Sequence, residues 1–465
     1  MAYYSTIHRR QTGASARLTP TTGILAIDMA KYHPMALLCD YQGQILEPPF
    51  AFGPHATGLA EVQQRVTRHQ AENGWDHIIV GIEPTGRYHE PIVRELRTWG
   101  WTVRVISPNA TAIERRADQR RSKTDPIDLM AIARCVLNQR GSDWPLRDGL
   151  PAALQAISRS RRAMVRQATQ CKNLIRSVLD QTFLECQGFA AHPTQKPIPL
   201  INPWTKAGRE WIEVFPLPAD VIRTTRADLT VWNQRRGWGF PDETLDRLWE
   251  AAQRALPLPA ATAGVWRDQI VRLYTLLGQC ESLITQYEAD LEALVVQTDA
   301  LLWLTTPRIG VVCAADLYGE LGGHERFPSA KTAIKLAGTD PTVHDSGDRH
   351  GRYGPASREG NRHLRAAVTQ VGQSLIGNPR PNPYFVTFAE RLTARGLTPA
   401  QVRVAVGNKF FRVGLAMLQH HQVFAPPTWD GPPLAQDWRK KLRWVRNRAQ
   451  GEETWTRLMQ DVRQP

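Results

Sequence analysis

The sequence predicts an α/β domain at the N-terminus, then helical coiled-coil segments, and a mainly helical domain at the C-terminus. Between residues 20 and 145, short apolar runs alternate with stretches of helical periodicity, which is typical of a sheet covered by helices. From residue 151 onward, apolar residues instead recur at alternating spacings of three and four, as they do along a coiled-coil seam. A chain of 465 residues is too long for one core, so several domains are expected.

The first domain, residues 20–148, takes its elements from apolar runs and the turn residues between them. Residues 23–28, 35–40, 77–83 and 102–106 are predicted strands, and residues 57–72, 88–98 and 125–138 are predicted helices. Residues 1–19 are interpreted as a disordered basic arm. They do not match a secretory signal, because no apolar stretch follows their charges.

Two helical segments, residues 151–185 and 264–300, flank an insert. Apolar residues between Leu154 and Val178 follow a heptad pattern that Arg161 interrupts. The two segments could pair as an antiparallel hairpin or form a dimer interface. The insert, residues 186–262, is rich in Pro and Trp, and its fold does not follow from the pattern. Residues 301–425 are predicted to form the mainly helical domain, and residues 426–465 a basic tail.

The charge balance points to a polyanionic partner. Lys and Arg number 58 against 44 Asp and Glu, which gives a net charge of +14. The pI near 9.8 is common in nucleic-acid-binding proteins, although a basic enzyme with no nucleic-acid role stays open. The six cysteines include no C-x-x-C pair, which argues against a zinc site or a disulfide framework. No run of 18 apolar residues occurs, so we expect no membrane span and a cytoplasmic protein.

Four acidic residues of the first domain suggest a metal site. Asp28 and Glu83 each stand at the end of a predicted strand, and Asp125 and Asp128 lie three residues apart on a predicted helix, so both of the latter point to one helix face. Carboxylate oxygens from several elements suit Mg²⁺ or Mn²⁺. Alternatively, Asp125 and Asp128 are a helix cap and a first-turn charge, with Pro126 at the first helical position.

The segments that carry these acids resemble the DEDD motif set of a widespread insertion-sequence transposase family. They read DMAK from Asp28, VGIEPTGRY from Val80 and KTDPIDLMA from Lys123. The resemblance implies an N-terminal domain that is RuvC-like, that is, RNase H-like. It also implies that Asp28, Glu83, Asp125 and Asp128 are the Mg²⁺ ligands, and two such ions can stabilise the attacking and leaving oxygens of phosphoryl transfer.

A basic cluster directly precedes the Asp-x-x-Asp segment. It consists of Arg115, Arg116, Arg120, Arg121 and Lys123. These side chains could hold a phosphate backbone next to the metal site, or they could form a solvated face. Both interpretations stay open.

Residues 306–322 are predicted to form a turn, a helix and a glycine stop. They are similar to the helix-hairpin-helix segment of the same transposases, in which backbone amides at a glycine turn can meet a DNA phosphate. This chain has Pro307-Arg308 where the family usually has Pro-Gly. A packing turn is the alternative to a phosphate site.

The order of motifs after residue 326 is similar to the family's C-terminal serine transposase domain. Segments beginning at Phe327, Leu336, His344 and Gly360 match it in sequence order. The resemblance makes Ser346, in an Asp-Ser-Gly loop, the nucleophile, and a composite site of serine and metals follows as a hypothesis. Taken alone, Ser346 is a turn residue. Ser329 and Ser357 are competing serines, and Ser357 is interpreted as a helix-start cap. Three further cations could neutralise a phosphate: Arg352, Arg358 and Arg365.

Together these features predict an insertion-sequence transposase that cleaves and exchanges double-stranded DNA at element ends and target. The resemblance implies a phosphoserine intermediate, Mg²⁺ or Mn²⁺ at the tetrad, and guidance by a structured noncoding bridge RNA encoded by the element. Because strand exchange joins two duplexes, we expect a homodimer or a tetramer. Two alternatives stay open: a metal-dependent RNase H-like nuclease or resolvase without a serine nucleophile, and an inactive nucleic-acid-binding relative.

Overall fold

A mixed β-sheet lies at the centre of the N-terminal part of the chain. Its strands are β1 (Thr22–Asp28), β2 (Met35–Asp40), β3 (Ile45–Ala51), β4 (His77–Glu83) and β5 (Thr102–Val105), in the order β3-β2-β1-β4-β5. Strand β2 is antiparallel to both of its neighbours, β1 and β3, whereas β4 runs parallel to β1 and β5 runs parallel to β4. The central strands β1 and β4 are covered on both faces, which explains why both are continuous apolar runs.

The computed structural model describes residues 18–84, 86, 88–117, 125–141, 149–187, 199–325, 327, 329–343, 353–425, 442–447 and 456. The chain divides into two units, residues 1–147 and 148–465. The predicted basic arm lies almost wholly outside the described residues, and so does most of the predicted basic tail.

Helices cover both faces of the sheet in the first unit. They are α1 (Ala56–Asn73), α2 (His89–Thr98), α3 (Pro108–Ala117) and α4 (Asp125–Leu137). Helices α1 and α2 share one apolar core with the sheet. Helix α4 packs in a second core on the other face through Leu129, Ile132 and Val136. A Cβ on Gly81 of β4 would lie 2.5 Å from Val136 Cγ2, so the glycine allows α4 to lie directly against the strand.

Two elements of the first unit are absent from the sequence prediction. Strand β3 contains Pro48 and Pro49, and all of its residues are exposed or half-buried. It lies at the edge of the sheet, where proline is tolerated and the apolar signal is weak. Helix α3 contains mostly polar and small residues. It forms because its few inward-facing side chains pack and bond on α4 and β4, and local periodicity does not report such contacts.

Two long helices, α5 (Gly149–Thr182) and the later helix over Ala260–Val295, pack antiparallel in the second unit. Their direction follows from ion pairs, because Arg161 meets Glu288 at 2.6 Å and Lys172 meets Glu281 at 3.3 Å. The heptad residues of α5 between Ala168 and Val178 are buried against this partner. The seam is therefore used within the chain, as the hairpin interpretation predicts, and the dimer stays a prediction.

The described part of the insert is helical. Between the two long helices lie α6 (Lys206–Val214), α7 (Pro218–Ile222), α8 (Arg226–Arg236) and α9 (Asp242–Arg254), and the second long helix is thus α10. Trp211 is fully buried, and its ring contacts Phe183 and Phe215. The tryptophan content of this segment therefore reflects, at least in part, a core packed on α5 and α10.

The described residues after α10 form a helical body and a small hairpin. Its elements are α11 (Val311–Leu321), α12 (Ala330–Ala337), β6 (Pro341–Val343), β7 (Tyr353–Ala356), α13 (Arg362–Ile376), α14 (Pro383–Ala394) and α15 (Pro399–Gln419). Trp303 lies at its centre and donates from Nε1 to the Gly414 carbonyl at 2.8 Å. This confirms a mainly helical C-terminal region. None of the described helices has the length and apolar character that a bilayer crossing requires.

Candidate active site

The register of the central sheet brings Asp28 and Glu83 together. Strands β1 and β4 run parallel, and Asp28 pairs with Glu83 as the last rung of their ladder. Neighbouring strands lie about 4.8 Å apart, so the two acids share one edge of the sheet. Both are half-buried. The two strand-end acids predicted from separate apolar runs are thus adjacent.

Helix α3 contacts one of these acids directly. The Thr111 hydroxyl donates to Glu83 Oε2 at 2.7 Å and also lies 3.0 Å from the Pro108 carbonyl oxygen. Thr111 is fully buried, so its hydroxyl must find its partners within the protein. The contact restricts the orientation of the Glu83 carboxylate.

The two acids of the Asp-x-x-Asp helix differ in environment. Asp125 is the first residue of α4 and is exposed, whereas Asp128 is only 5 % exposed. The Asp128 carboxylate accepts a hydrogen bond from the Arg115 guanidinium of α3. A buried carboxylate is costly without a counter-charge, and here the counter-charge is arginine.

Glu114 is a buried acid of the same region that the sequence analysis missed. Its carboxylate receives hydrogen bonds or ion pairs from Asn138 and Arg140, each at 3.2 Å, just beyond the end of α4. The pKa of the Cys135 thiol is raised to about 11, mainly by burial and further by the carboxylates of Glu114 and Glu83. The Thr-x-x-Glu-Arg spacing of α3 is the signal that could have indicated an inward-facing polar side of this helix.

The donor chemistry of the tetrad fits a hard divalent cation, although its oxygens do not converge here. Carboxylates are the ligands that Mg²⁺ and Mn²⁺ prefer, and Asp128 already has a cationic partner. Within the described ranges, however, no three of the four predicted ligands bring oxygens within 4.8 Å of one another. The group that meets this criterion consists of Asp299, His324 and Glu325 in the second unit.

Two of the five predicted DNA-contacting cations of this unit belong to the described residues. Arg115 is engaged by Asp128, and Arg116 is exposed on α3. Arg120, Arg121 and Lys123 lie outside the described residues.

In the second unit, the predicted nucleophile Ser346 and Arg352 also lie outside the described residues, between β6 and β7. The described base of this hairpin is held by Ser357, whose hydroxyl donates to Asp340 Oδ1 at 2.7 Å and whose amide donates to the Asp340 carbonyl at 2.8 Å. The interpretation of Ser357 as a helix cap is wrong. The cap of α13 is Asn361, because its Oδ1 accepts from the His363 and Leu364 amides.

Asn361 also belongs to a buried polar network that the sequence analysis missed. Its Nδ2 donates to Glu320 Oε2 at 2.7 Å, and Arg159 of α5 binds the same carboxylate through Nε and Nη2. Glu320 is only 2 % exposed. The network ties the Gly-Asn segment to α5 and α11. Of the remaining predicted cations, Arg358 is exposed, and Arg365 donates to the carbonyls of Ala337 and Arg358.

The turn before α11 contains a backbone conformation that favours glycine. Arg308 has a φ of +78°, which costs a residue with a side chain about 1–2 kcal/mol. Its guanidinium donates to the carbonyls of Ser374 and Gly377 near the end of α13. A glycine, as in the usual Pro-Gly, would adopt this backbone conformation without the cost. In this chain the arginine side chain instead bonds to α13.

Two family models match the parts of the chain that carry these sites. A model for the DEDD transposases of the IS110 group, described as Transposase, matches residues 25–184, which hold all four predicted metal ligands. A model described as Transposase IS116/IS110/IS902 family matches residues 301–385, which hold Ser346. Together they cover more than half of the 465 residues. The chain belongs to the IS110/IS116/IS902 transposase family.

Membership confirms the class of enzyme predicted from the sequence, a DNA transposase. The family models leave the insert unmatched. The chain is 25% identical over 311 residues to an uncharacterized 43.6 kDa protein of insertion element IS110 from Streptomyces coelicolor, covering 64% of this chain and 71% of that protein. It is 24% identical over 354 residues to a probable family 20 transposase from Pseudomonas aeruginosa, covering 75% and 86%. A pilin gene-inverting protein from Moraxella bovis is 27% identical over 146 residues, 30% of this chain and 45% of its own length.

Proposed function

We propose that this transposase cleaves and rejoins double-stranded DNA at element ends and target with Mg²⁺ or Mn²⁺ held by Asp28, Glu83, Asp125 and Asp128. The observation that carries the proposal is the register of β1 and β4, which places Asp28 beside Glu83 at the end of the ladder. The strand order β3-β2-β1-β4-β5, with β2 antiparallel to both β1 and β3, supports an RNase H-like domain. The pilin gene-inverting relatives are named for DNA rearrangement, the same class of reaction.

The chain's own residues would prepare the site for a cation. When bound, the metal ions supply Lewis-acid stabilisation of the phosphate oxygens. Thr111 keeps one Glu83 oxygen oriented, and the buried Asp128 offers an oxygen that is poorly screened by water. Exposed Arg116 and Arg358 are suited to contact the DNA backbone, as we propose for Arg352, Arg365 and the cations between α3 and α4.

We further propose that Ser346 is the nucleophile. Its hydroxyl oxygen would form a bond to phosphorus while the bond from phosphorus to the leaving deoxyribose oxygen breaks. The hydroxyl proton is lost, and the leaving oxygen gains one, so that a phosphoserine and a free DNA hydroxyl result. Support comes from the C-terminal family model, which covers the segment that contains Ser346. The rival Ser357 is already engaged by Asp340.

The proposal includes two kinds of partner. A structured bridge RNA encoded by the element would select donor and target DNA, which is consistent with the net charge of +14. A homodimer or tetramer would hold the two duplexes. The test of both is cleavage with and without the element's flanking RNA, together with the mass of the active complex in solution.

The mechanism is tested with end-labelled DNA that spans an element end, Mg²⁺ and RNA from its flanks. A denaturing gel separates DNA joined covalently to protein from free fragments. We expect an adduct with the wild type and with the control Ser357→Ala, and no adduct with Ser346→Ala or Asp125→Ala. Cleavage that survives Ser346→Ala but not Asp125→Ala would establish a metal-dependent nuclease instead. Binding without cleavage by the wild type would indicate an inactive relative.

A further inference from the structure

Helix α3 holds two of the proposed metal ligands through residues one turn apart. Thr111 contacts Glu83 of β4, and Arg115 contacts Asp128 of α4. Residues at positions i and i+4 lie on the same face of a helix. One helix face thus reaches two of the acids, although these acids stand on different elements.

The two contacts have opposite electrostatic character. Thr111 offers a neutral donor to Glu83 Oε2, which leaves the carboxylate its negative charge and its second oxygen for a cation. Arg115 offers a full positive charge to Asp128 Oδ1, and this charge competes with any cation for the same oxygen. Neutral hydrogen-bond partners of metal ligands raise metal affinity by fixing ligand orientation, whereas a nearby like charge repels the metal.

Helix α3 is also attached through a third residue, which takes no part in these two contacts. Glu114 anchors α3 to Asn138 and Arg140 beyond the end of α4. Because this anchor is independent of Thr111 and Arg115, conservative changes at those two positions should leave α3 in place.

We propose that α3 sets the metal affinity of the tetrad through these two opposing contacts. Thr111 is a positioning residue that raises the affinity by orienting Glu83. Arg115 lowers it by occupying Asp128 and is displaced when a divalent cation binds. The inference rests on the proposed metal site.

The experiment is a Mn²⁺ titration of the full-length protein followed by calorimetry and by the electron paramagnetic resonance signal of free Mn²⁺. Thr111→Val keeps the shape but removes the hydroxyl, and we expect about ten-fold weaker binding. Thr111→Ser retains the hydroxyl and should bind as the wild type does. Arg115→Gln should bind about ten-fold more tightly, since the positive charge that competes with the cation for Asp128 is removed. Arg116→Gln is the matched control on the same helix, and its affinity should change far less.

The outcomes separate this proposal from the one on which it rests. If Glu83→Gln and wild type bind Mn²⁺ equally, the metal site itself is refuted. If Glu83→Gln weakens binding but a folded Thr111→Val does not, or if Arg115→Gln binds more weakly than wild type, the role of α3 is refuted. Far-UV circular dichroism establishes folding, and should Thr111→Val unfold, the sign of the Arg115→Gln change still decides for or against the proposal.

Discussion

Gly81 allows α4 to approach β4 closely, and a single methyl group should disturb the proposed site. In Gly81→Ala the new Cβ would lie 2.5 Å from Val136 Cγ2 and 3.0 Å from Ile132 Cγ2. Favourable contacts between carbon atoms begin at about 3.5 Å, so the helix or Val136 must move by about 1 Å. Overpacking of this kind costs about 1–3 kcal/mol. The shift would also change the distance between Asp128 on α4 and Glu83, which stands two residues after Gly81.

Hydrogen exchange followed by mass spectrometry measures the loss of local stability in β4 and α4. Peptides of β4 and α4 in Gly81→Ala should exchange about 5- to 150-fold faster, which corresponds to the same energy range. Val136→Ala removes the opposing methyl groups, so the double variant should lose less stability than the sum of the two single variants. Gly264→Ala is the control, because nothing lies within 4 Å of a Cβ there. Unchanged exchange in Gly81→Ala, or strict additivity in the double variant, would refute the packing argument.

Three further predictions concern other buried positions. Gly319→Ala should lower the melting temperature more than Gly81→Ala does, because its Cβ would lie 2.6 Å from the backbone nitrogen of Gln155 on α5 and backbone cannot turn aside; calorimetry of both variants checks the order. Glu320→Ala should destabilise the second unit by about 3–5 kcal/mol, since it leaves Arg159 without its carboxylate, and Arg159→Ala in the same background should recover part of the loss in denaturant titrations. Cys135 should resist alkylation at pH 8 unless the protein opens, because the pKa of its thiol is raised to about 11. Since the folded state holds this proton more tightly than the unfolded state, the stability that the thiol contributes is lost as the pH rises from about 9 to about 11. Rapid labelling of the folded protein at pH 8 would contradict the raised pKa.

In the first unit, the local sequence pattern predicts the bounds of most strands and helices. Strands β2 and β4 have the predicted bounds, and β1 and α4 each differ from their predictions by one residue at one end. Each is an uninterrupted apolar run or a helix with a clear start, so residues close in sequence suffice to define it. Edge strand β3 and polar helix α3 lack that signal, because their stability comes from neighbours distant in the chain.

The candidate site follows the same division. Order and spacing along the chain single out Asp28, Glu83, Asp125 and Asp128 as candidates, and the family resemblance implies that they form one set. One family model covers the segment that contains them. The sequence does not show that Asp125 is exposed, or that Asp128 is buried and bonded to Arg115. Burial depends on the direction from which α3 approaches α4, which no spacing encodes.

The sequence by itself determined the α/β character of the N-terminal region, the helical remainder and the family motifs, because side-chain periodicity and motif order are properties of consecutive residues. Only the tertiary structure decided that Asp28 and Glu83 share a rung, that the α5 seam meets α10 within the chain, and that Glu114 and Glu320 are buried anchors. These facts depend on which surfaces pack together. Packing depends on the shape and charge of surfaces whose residues lie tens to more than a hundred positions apart in the chain.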